Sequence, residues 1–121
     1  MFWSIYNKLK DKEKIYFAEL NKEFGKYANN GAYFYDFVNT KTKKIIEFNG
    51  DLFHANPIIY TENDTPNFHN KKMTAKEIWN KDKQKIDFII EKGFKVLVAW
   101  ECDYNNNKEE IINNCIKFLR N

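Results

Sequence analysis

Cysteine, arginine and histidine are scarce in this 121-residue chain. The two cysteines, Cys102 and Cys115, fit no CxxC spacing. They argue against a disulfide framework and a four-ligand zinc centre, and they read as reduced thiols in a cytoplasm. Arg120 is the only arginine among 20 basic residues, and the formal net charge of +3 permits nucleic-acid binding without requiring it. No apolar run approaches the roughly 20 residues of a membrane span. The opening MFWSIYNKLK lacks a basic leader, an apolar core and a small-residue cleavage site, so it does not read as a signal peptide and no membrane partner is expected. Internal repeats and linkers are absent too. What is present is 43% hydrophobic and 17% aromatic content, the composition of a globular chain. The length suits one domain, residues 1–121, with a real core.

The most informative stretch is 33–57, YFYDFVNTKTKKIIEFNGDLFHANP. Two β-forming runs, 33–38 and 44–49, flank the polar turn Asn39-Thr40-Lys41-Thr42-Lys43 and predict a hairpin. Each run carries one acid, Asp36 among aromatics and Glu47 among Ile45, Ile46 and Phe48. A buried acid must be paired, hydrogen-bonded or metal-bound. Taken singly, each acid reads as solvent-facing, with Tyr33, Tyr35 and Phe37 on the face opposite Phe34, Asp36 and Val38. Taken together, and followed at once by Asn-Gly-Asp-Leu-Phe-His, they read as two oxygen ligands for a hard divalent cation.

Around this hairpin, helical spacing of Phe2, Trp3, Ile5, Tyr6 and Leu9 predicts a short helix over 2–12, without an N-cap. Residues 14–20 predict a strand, 21–27 are ambiguous, and Asn29-Asn30-Gly31 signals a turn. Asn49-Gly50-Asp51 reverses the chain. A long polar stretch over 55–73 follows, the kind of loop that grips a substrate. Thr74 and Glu77 form a capping-box pattern opening a helix that ends at Gly93. Its apolar face is Ile78, Trp79, Ile86, Ile89 and Ile90, and its polar face is Lys81, Asp82, Lys83, Lys85 and Asp87. FKVLVAW, 94–100, predicts a central strand covered on both faces and stopping at Glu101-Cys102-Asp103. After a loop at Asn105-Asn106-Asn107, residues 108–119 predict a closing helix with Ile111, Ile112, Cys115, Ile116 and Leu119 inward. The order α-β-β-β-α-β-α gives an α/β fold, a small mixed β-sheet flanked by helices, with a crossover making one strand pair parallel.

Gathering the polar residues that punctuate the predicted core gives Asp36, Glu47, Asn49, His54 and Asp82, with Lys81, Lys83 and Lys85 beside them. A divalent cation polarises a phosphoryl oxygen and supplies a nucleophile near neutral pH. Histidine moves protons in that range, and lysines neutralise phosphates. The bland readings are a surface His54, a helix-face ion pair for Asp82, and core roles for Trp79 and Trp100. Glu101 either caps a strand end or joins the site, and His69 reads as solvent-exposed.

The runs Asp36-Phe37-Val38, Ile45-Ile46-Glu47-Phe48-Asn49-Gly50-Asp51-Leu52-Phe53-His54, Trp79 through Asp82, and Gly93 through Cys102 are similar in order and spacing to very-short-patch repair (Vsr-type) endonucleases. They resemble equally the phage and intron-associated homing endonucleases with an E-D-x-H-D motif, and both groups belong to the PD-(D/E)xK nuclease superfamily. The resemblance spans about two thirds of the chain. It implies that Asp36 is the metal-binding aspartate, that Asn49 stands at the variable position, and that His54 and Asp82 are the motif's last two members. It implies metal binding by the carbonyl of Phe48, and a duplex-wedging role for Leu52 and Phe53. Three departures accompany it. Of the repair enzymes' zinc ligands only Cys102 remains, with Asp51 at another cysteine position, so no structural zinc is expected and the homing-type branch fits better. The leading glutamate is missing from the first helix, leaving Glu13 and Glu19 as candidates or an N-terminal truncation. The superfamily lysine is replaced by Asn49.

The expectation is therefore a magnesium-dependent DNA endonuclease or nickase, with manganese able to substitute, acting on duplex DNA in a bacterial or phage-infected cytoplasm. Asp36, Glu47 and Phe48 hold the metal, His54 and Asp82 handle the proton, and Lys81, Lys83 and Lys85 contact the backbone. A homodimer or a further specificity domain is the expected partner beyond DNA. The alternative is a DNA- or protein-binding module on a decayed nuclease fold.

Overall fold

The computed structural model of the chain describes residues 1–9, 12, 14–20, 24–28, 31–66 and 73–120. Helix α1 (Phe2–Lys8) precedes strand β1 (Ile15–Phe17), a 3-10 turn (Ala18–Leu20), and strands β2 (Phe24–Ala28), β3 (Gly31–Tyr35), β4 (Phe37–Asn39) and β5 (Lys44–Asn49). Helix α2 (Ala75–Glu91), strand β6 (Lys95–Trp100) and helices α3 (Glu101–Asn106) and α4 (Lys108–Arg120) complete the chain. Four strands form one mixed sheet in the order β1-β4-β5-β6, while β2 and β3 form a separate antiparallel ladder. The mixed, helix-flanked sheet expected from the sequence is present.

The β4–β5 hairpin closes as predicted. Asn39 Oδ1 accepts from the N–H of Lys41 at 3.0 Å and of Thr42 at 3.2 Å, an Asx turn that replaces ladder bonds at the reversal. α2 is the right kind of connection for a crossover, and β5 and β6 run parallel, with Glu47 opposite Val98 and Asn49 opposite Trp100. The predicted capping box is formed by Thr74 and Glu77, and Gly93 ends the helix at φ +93°, where a Cβ would be strained.

Both faces of the sheet are covered. α1 and α4 bury Ile5, Phe17, Phe37, Ile46, Cys115 and Leu119 on one side. α2 buries Val38, Ile45 and Ile89 with Tyr35 and Phe94 on the other. Lys44 is nevertheless buried, and its Nζ donates to the Phe118 carbonyl at 2.8 Å near the end of α4, where a cation is favoured. Both cysteines are free, and burial pushes the Cys115 thiol up to about 11.

Several expectations are corrected. The run 33–38 is not one strand: Asp36 sits in a bend between β3 and β4. The bend breaks the alternation, so Tyr35 joins the α2 side while Phe37 faces α1 and α4. β1 stops at Phe17 rather than 20 because its partner strand β4 begins at Phe37, the residue paired with Phe17. FKVLVAW is not central: β6 is the outer strand beside β5, and it is apolar because helices cover both its faces. Ile90 is half-exposed rather than inward. α1 ends at Lys8, before residue 12, because Leu9 turns extended. The expected Asn105–Asn107 loop shrinks to Asn107, which ends α3 and caps α4 through Glu110 N–H at 3.1 Å. Glu13, His69, the Asn29-Asn30 turn signal and residues 67–72 of the polar stretch lie outside the described residues. No helix among the described residues is long and apolar enough to cross a membrane.

Candidate active site

Ile45, Glu47 and Asn49 share one face of β5 by strand alternation, and that face meets α2. Asp36 arrives beside Glu47 from the bend before β4. The two acids are interlocked through backbone: Asp36 N–H donates to Glu47 Oε1 at 2.8 Å, and Phe48 N–H donates to Asp36 Oδ2 at 2.9 Å. From α2, Lys85 Nζ donates to Glu47 Oε2 at 2.8 Å. Lys85 is itself fixed by Tyr35, whose ring lies 4.9 Å from Nζ and whose hydroxyl donates to the Lys85 carbonyl at 2.9 Å. Burial, reinforced by the Asp36 charge, pushes Glu47 above the usual carboxylate range, while Lys85 opposes the rise. Burial and Glu47 hold the Tyr35 phenol protonated by raising it to about 12.

His54 is carried by the compact turn after β5. Its N–H donates to the Gly50 carbonyl at 3.1 Å. Asn56, 1% exposed, staples the turn: its Nδ2 donates to Asp51 Oδ1 at 2.8 Å, and its Oδ1 accepts from Ile58 N–H at 3.0 Å. Asp51 Oδ1 also accepts from Cys102 N–H at 3.3 Å, and Asp51 N–H donates to Glu101 Oε1 at 3.1 Å. Glu101 therefore anchors this turn rather than joining the acid pair. Trp79 of α2 holds the Ala55 carbonyl through its indole N–H at 2.6 Å.

So held, His54 Nδ1 lies 2.8 Å from Asp82 Oδ2. The carboxylate can only accept, so Nδ1–H is the donor, which leaves Nε2 as the ring nitrogen able to take up or release a proton. The Asp82 hydrogen bond raises the imidazole pKa against the opposing effect of burial, and the Asp36 charge adds to the rise while Lys85 counters it. The dyad and the acid pair thus feel one another's charge.

The structure joins Asp36, Glu47 and Phe48 by hydrogen bonds and adds Lys85 to them, and it joins His54 to Asp82, three residues before Lys85 on α2. Asn49 is 6% exposed and faces a cleft beside Asp82. Leu52 and Phe53 stand exposed on the turn, and Ile58 and Ile59, from a stretch read as polar, are exposed apolar side chains as well. Lys81 is exposed, and exposed Lys83 pairs with Asp87 at 2.6 Å, a contact worth little in water. Glu19 lines a cleft of about 240 Å³ together with Asp36. Sequence reading missed Tyr35 as the Lys85 anchor and Asn56 as the staple. It also missed the inward turn of Lys85, although Ile78, Asp82, Lys85 and Ile89 follow the i, i+4, i+7, i+11 stripe.

Asp36 and Glu47 are hard oxygen donors crowded so that their charges repel. Two such carboxylates are the kind of oxygen donor that a hard divalent cation takes. Among the described residues no three His, Cys, Asp or Glu side chains converge as a self-sufficient metal cage. No protein-family model, curated protein or solved structure matches the chain.

Proposed function

We propose that the chain is a divalent-metal-dependent DNA endonuclease or nickase with a PD-(D/E)xK-type core, of the Vsr-like, homing-endonuclease kind. The observation that carries this reading is that α2 bears both Lys85, bonded to Glu47 of the Asp36–Glu47 pair, and Asp82, the partner of His54, so that both pairs lie on the α2 side of β5. Asp36 and Glu47, with the Phe48 carbonyl, would hold the divalent cation, which when bound would supply Lewis-acid polarisation of a phosphoryl oxygen and a more acidic water.

The chain's own residues do the rest. Asp82 fixes the His54 tautomer, and Nε2 takes or returns the proton at the attacking or leaving oxygen. Lys85 holds Glu47 in its anionic form and keeps donors free for a phosphate oxygen. Leu52 and Phe53 press on the base stack, and Lys81 and Lys83 position the backbone. Asp51, Asn56 and the Cys102 N–H tie the turn to α3 by hydrogen bonds, at the place where the resembled repair enzymes use zinc. Glu19, in the Asp36 cleft, is the candidate for the leading glutamate.

One observation favours a non-catalytic binding module instead: Lys85 and the Asp36 N–H satisfy both Glu47 oxygens without a metal. Nicking of supercoiled plasmid with magnesium or manganese separates the readings. The nuclease reading expects metal-dependent nicking that Asp36→Ala abolishes. Salt-sensitive DNA binding without nicking supports the module.

A further inference from the structure

Beside the His54–Asp82 dyad lies a cleft of about 320 Å³, walled by Trp79, Ile86, Val98 and Trp100, with Asn49 and Asp82 among its lining residues. That is the lower end of ligand-site size, roughly 300–1,000 Å³. Asn49 is 94% withdrawn from solvent (6% exposed), yet its side-chain amide bonds to no described residue. Among the described residues no fully buried side-chain polar atom lacks a partner, so the unbonded Asn49 amide keeps its contact with solvent through the cleft that it lines. Here a donor and an acceptor side by side face a slot between half-buried indoles. The exposed apolar residues Leu52, Phe53 and Ile58 belong to the turn that precedes and flanks the cleft's Pro57.

We propose that this cleft binds one unstacked nucleobase, its face against an indole and its polar edge on the Asn49 amide. The inference rests on the nucleic-acid reading of the site above and names the part of the substrate that the acid pair does not touch. Each wall has a separate task. Aromatic faces bind any base by stacking. A side-chain amide can hydrogen-bond a base edge at two points. The Asp82 oxygen not engaged by His54 accepts from an exocyclic amino group, which favours adenine and cytosine over thymine. The apolar rim opens the stack so that a base can leave it. A base seated here is next to the dyad, so its own phosphate is presented to His54.

Binding is tested without metal, so that cleavage plays no part. In a Trp3→Phe background, which leaves only the two cleft tryptophans, AMP, CMP, TMP and ribose 5-phosphate are titrated in chelator while indole fluorescence is followed. The inference expects saturable quenching by AMP and CMP, weaker quenching by TMP and none by ribose 5-phosphate. Asn49→Ala should weaken binding about tenfold, the loss of a paired hydrogen-bonding edge. Val98→Phe, which fills the slot, should abolish it with the fold retained by circular dichroism. Ribose 5-phosphate binding as well as AMP, or quenching indifferent to both substitutions, overturns the inference. A chain that binds AMP here but nicks no plasmid keeps this inference and loses the catalytic reading. A chain that nicks but binds no nucleotide does the reverse.

Discussion

Lys85 Nζ lies 2.8 Å from Glu47 Oε2, and of the two side chains the carboxylate is almost wholly buried (6% exposed) while the ammonium keeps 24% of its surface. The pair is asymmetric, and so are the consequences of breaking it. Removing the cation strands a buried charge, whereas removing the charge leaves a lysine that can reach water. Lys85→Gln should cost about 3 kcal/mol at neutral pH, and Glu47→Gln should lie within about 1 kcal/mol of wild type. Glu47 is raised in the fold, so its contribution is fully present below the ordinary carboxylate range and is lost as pH climbs through the raised value. Lys85→Gln raises it further and should make stability fall more steeply with pH. Urea unfolding of both variants at several pH values measures this.

His54 carries the proton in the proposed reaction, and Asp82 sets when it does so. Asp82→Asn should lower the His54 pKa, read from its imidazole resonance by NMR and assigned with His54→Ala. Because the native pKa is raised, the pair stabilises the fold below the ordinary histidine value of about 6.5 and ceases to do so as pH rises through the native one. The variant should flatten that segment of the stability profile. The midpoint of the pH dependence of nicking should move to lower pH with it.

Asn56 touches no group in the reaction but holds the turn that carries His54. Asn56→Ala removes bonds to Asp51 and Ile58 from a residue 1% exposed. The expected loss is about 1–3 kcal/mol, visible as a lower thermal midpoint. The His54 pKa should return toward the ordinary value as the imidazole loses its fixed place beside Asp82.

Leu52 and Phe53 are 40% and 48% exposed, and in the proposed reading that exposed apolar surface presses on the base stack. The double substitution Leu52→Ser and Phe53→Ser should cost about 1 kcal/mol per site, the loss of their half-covered apolar surface, and leave the chain folded. Duplex binding should weaken while its salt dependence stays the same, because the phosphate contacts remain. Fluorescence anisotropy with a labelled duplex across a salt series separates the two effects.

The hairpin, the crossover helix with its cap and terminal glycine, and the inward face of α4 were legible because each has a local signal: turn residues, an N-cap pair, a 3.6-residue period. Asp36 and Glu47 were legible as acids in apolar runs. The bend at Asp36 was not, because its cause is tertiary: a carboxylate that takes the Phe48 N–H in place of a ladder bond. The inward turn of Lys85 was obscured by its charged neighbours Lys81, Lys83 and Asp87, which made the segment read as a solvated face. The stripe from Ile78 to Ile89 marks the true orientation. The outer place of β6 was hidden because helices on both faces make an edge strand as apolar as a central one.

A divalent cation held by Asp36 and Glu47 within reach of His54 is reported directly by manganese, through paramagnetic broadening of amide resonances. Titration into the labelled protein should broaden the amides of Asp36, Glu47 and Phe48 first and the His54 imidazole next, with Asp36→Ala removing the effect. Broadening centred elsewhere, or unchanged by Asp36→Ala, would mean that the acid pair holds no cation and would leave Glu47 as the partner of Lys85 alone.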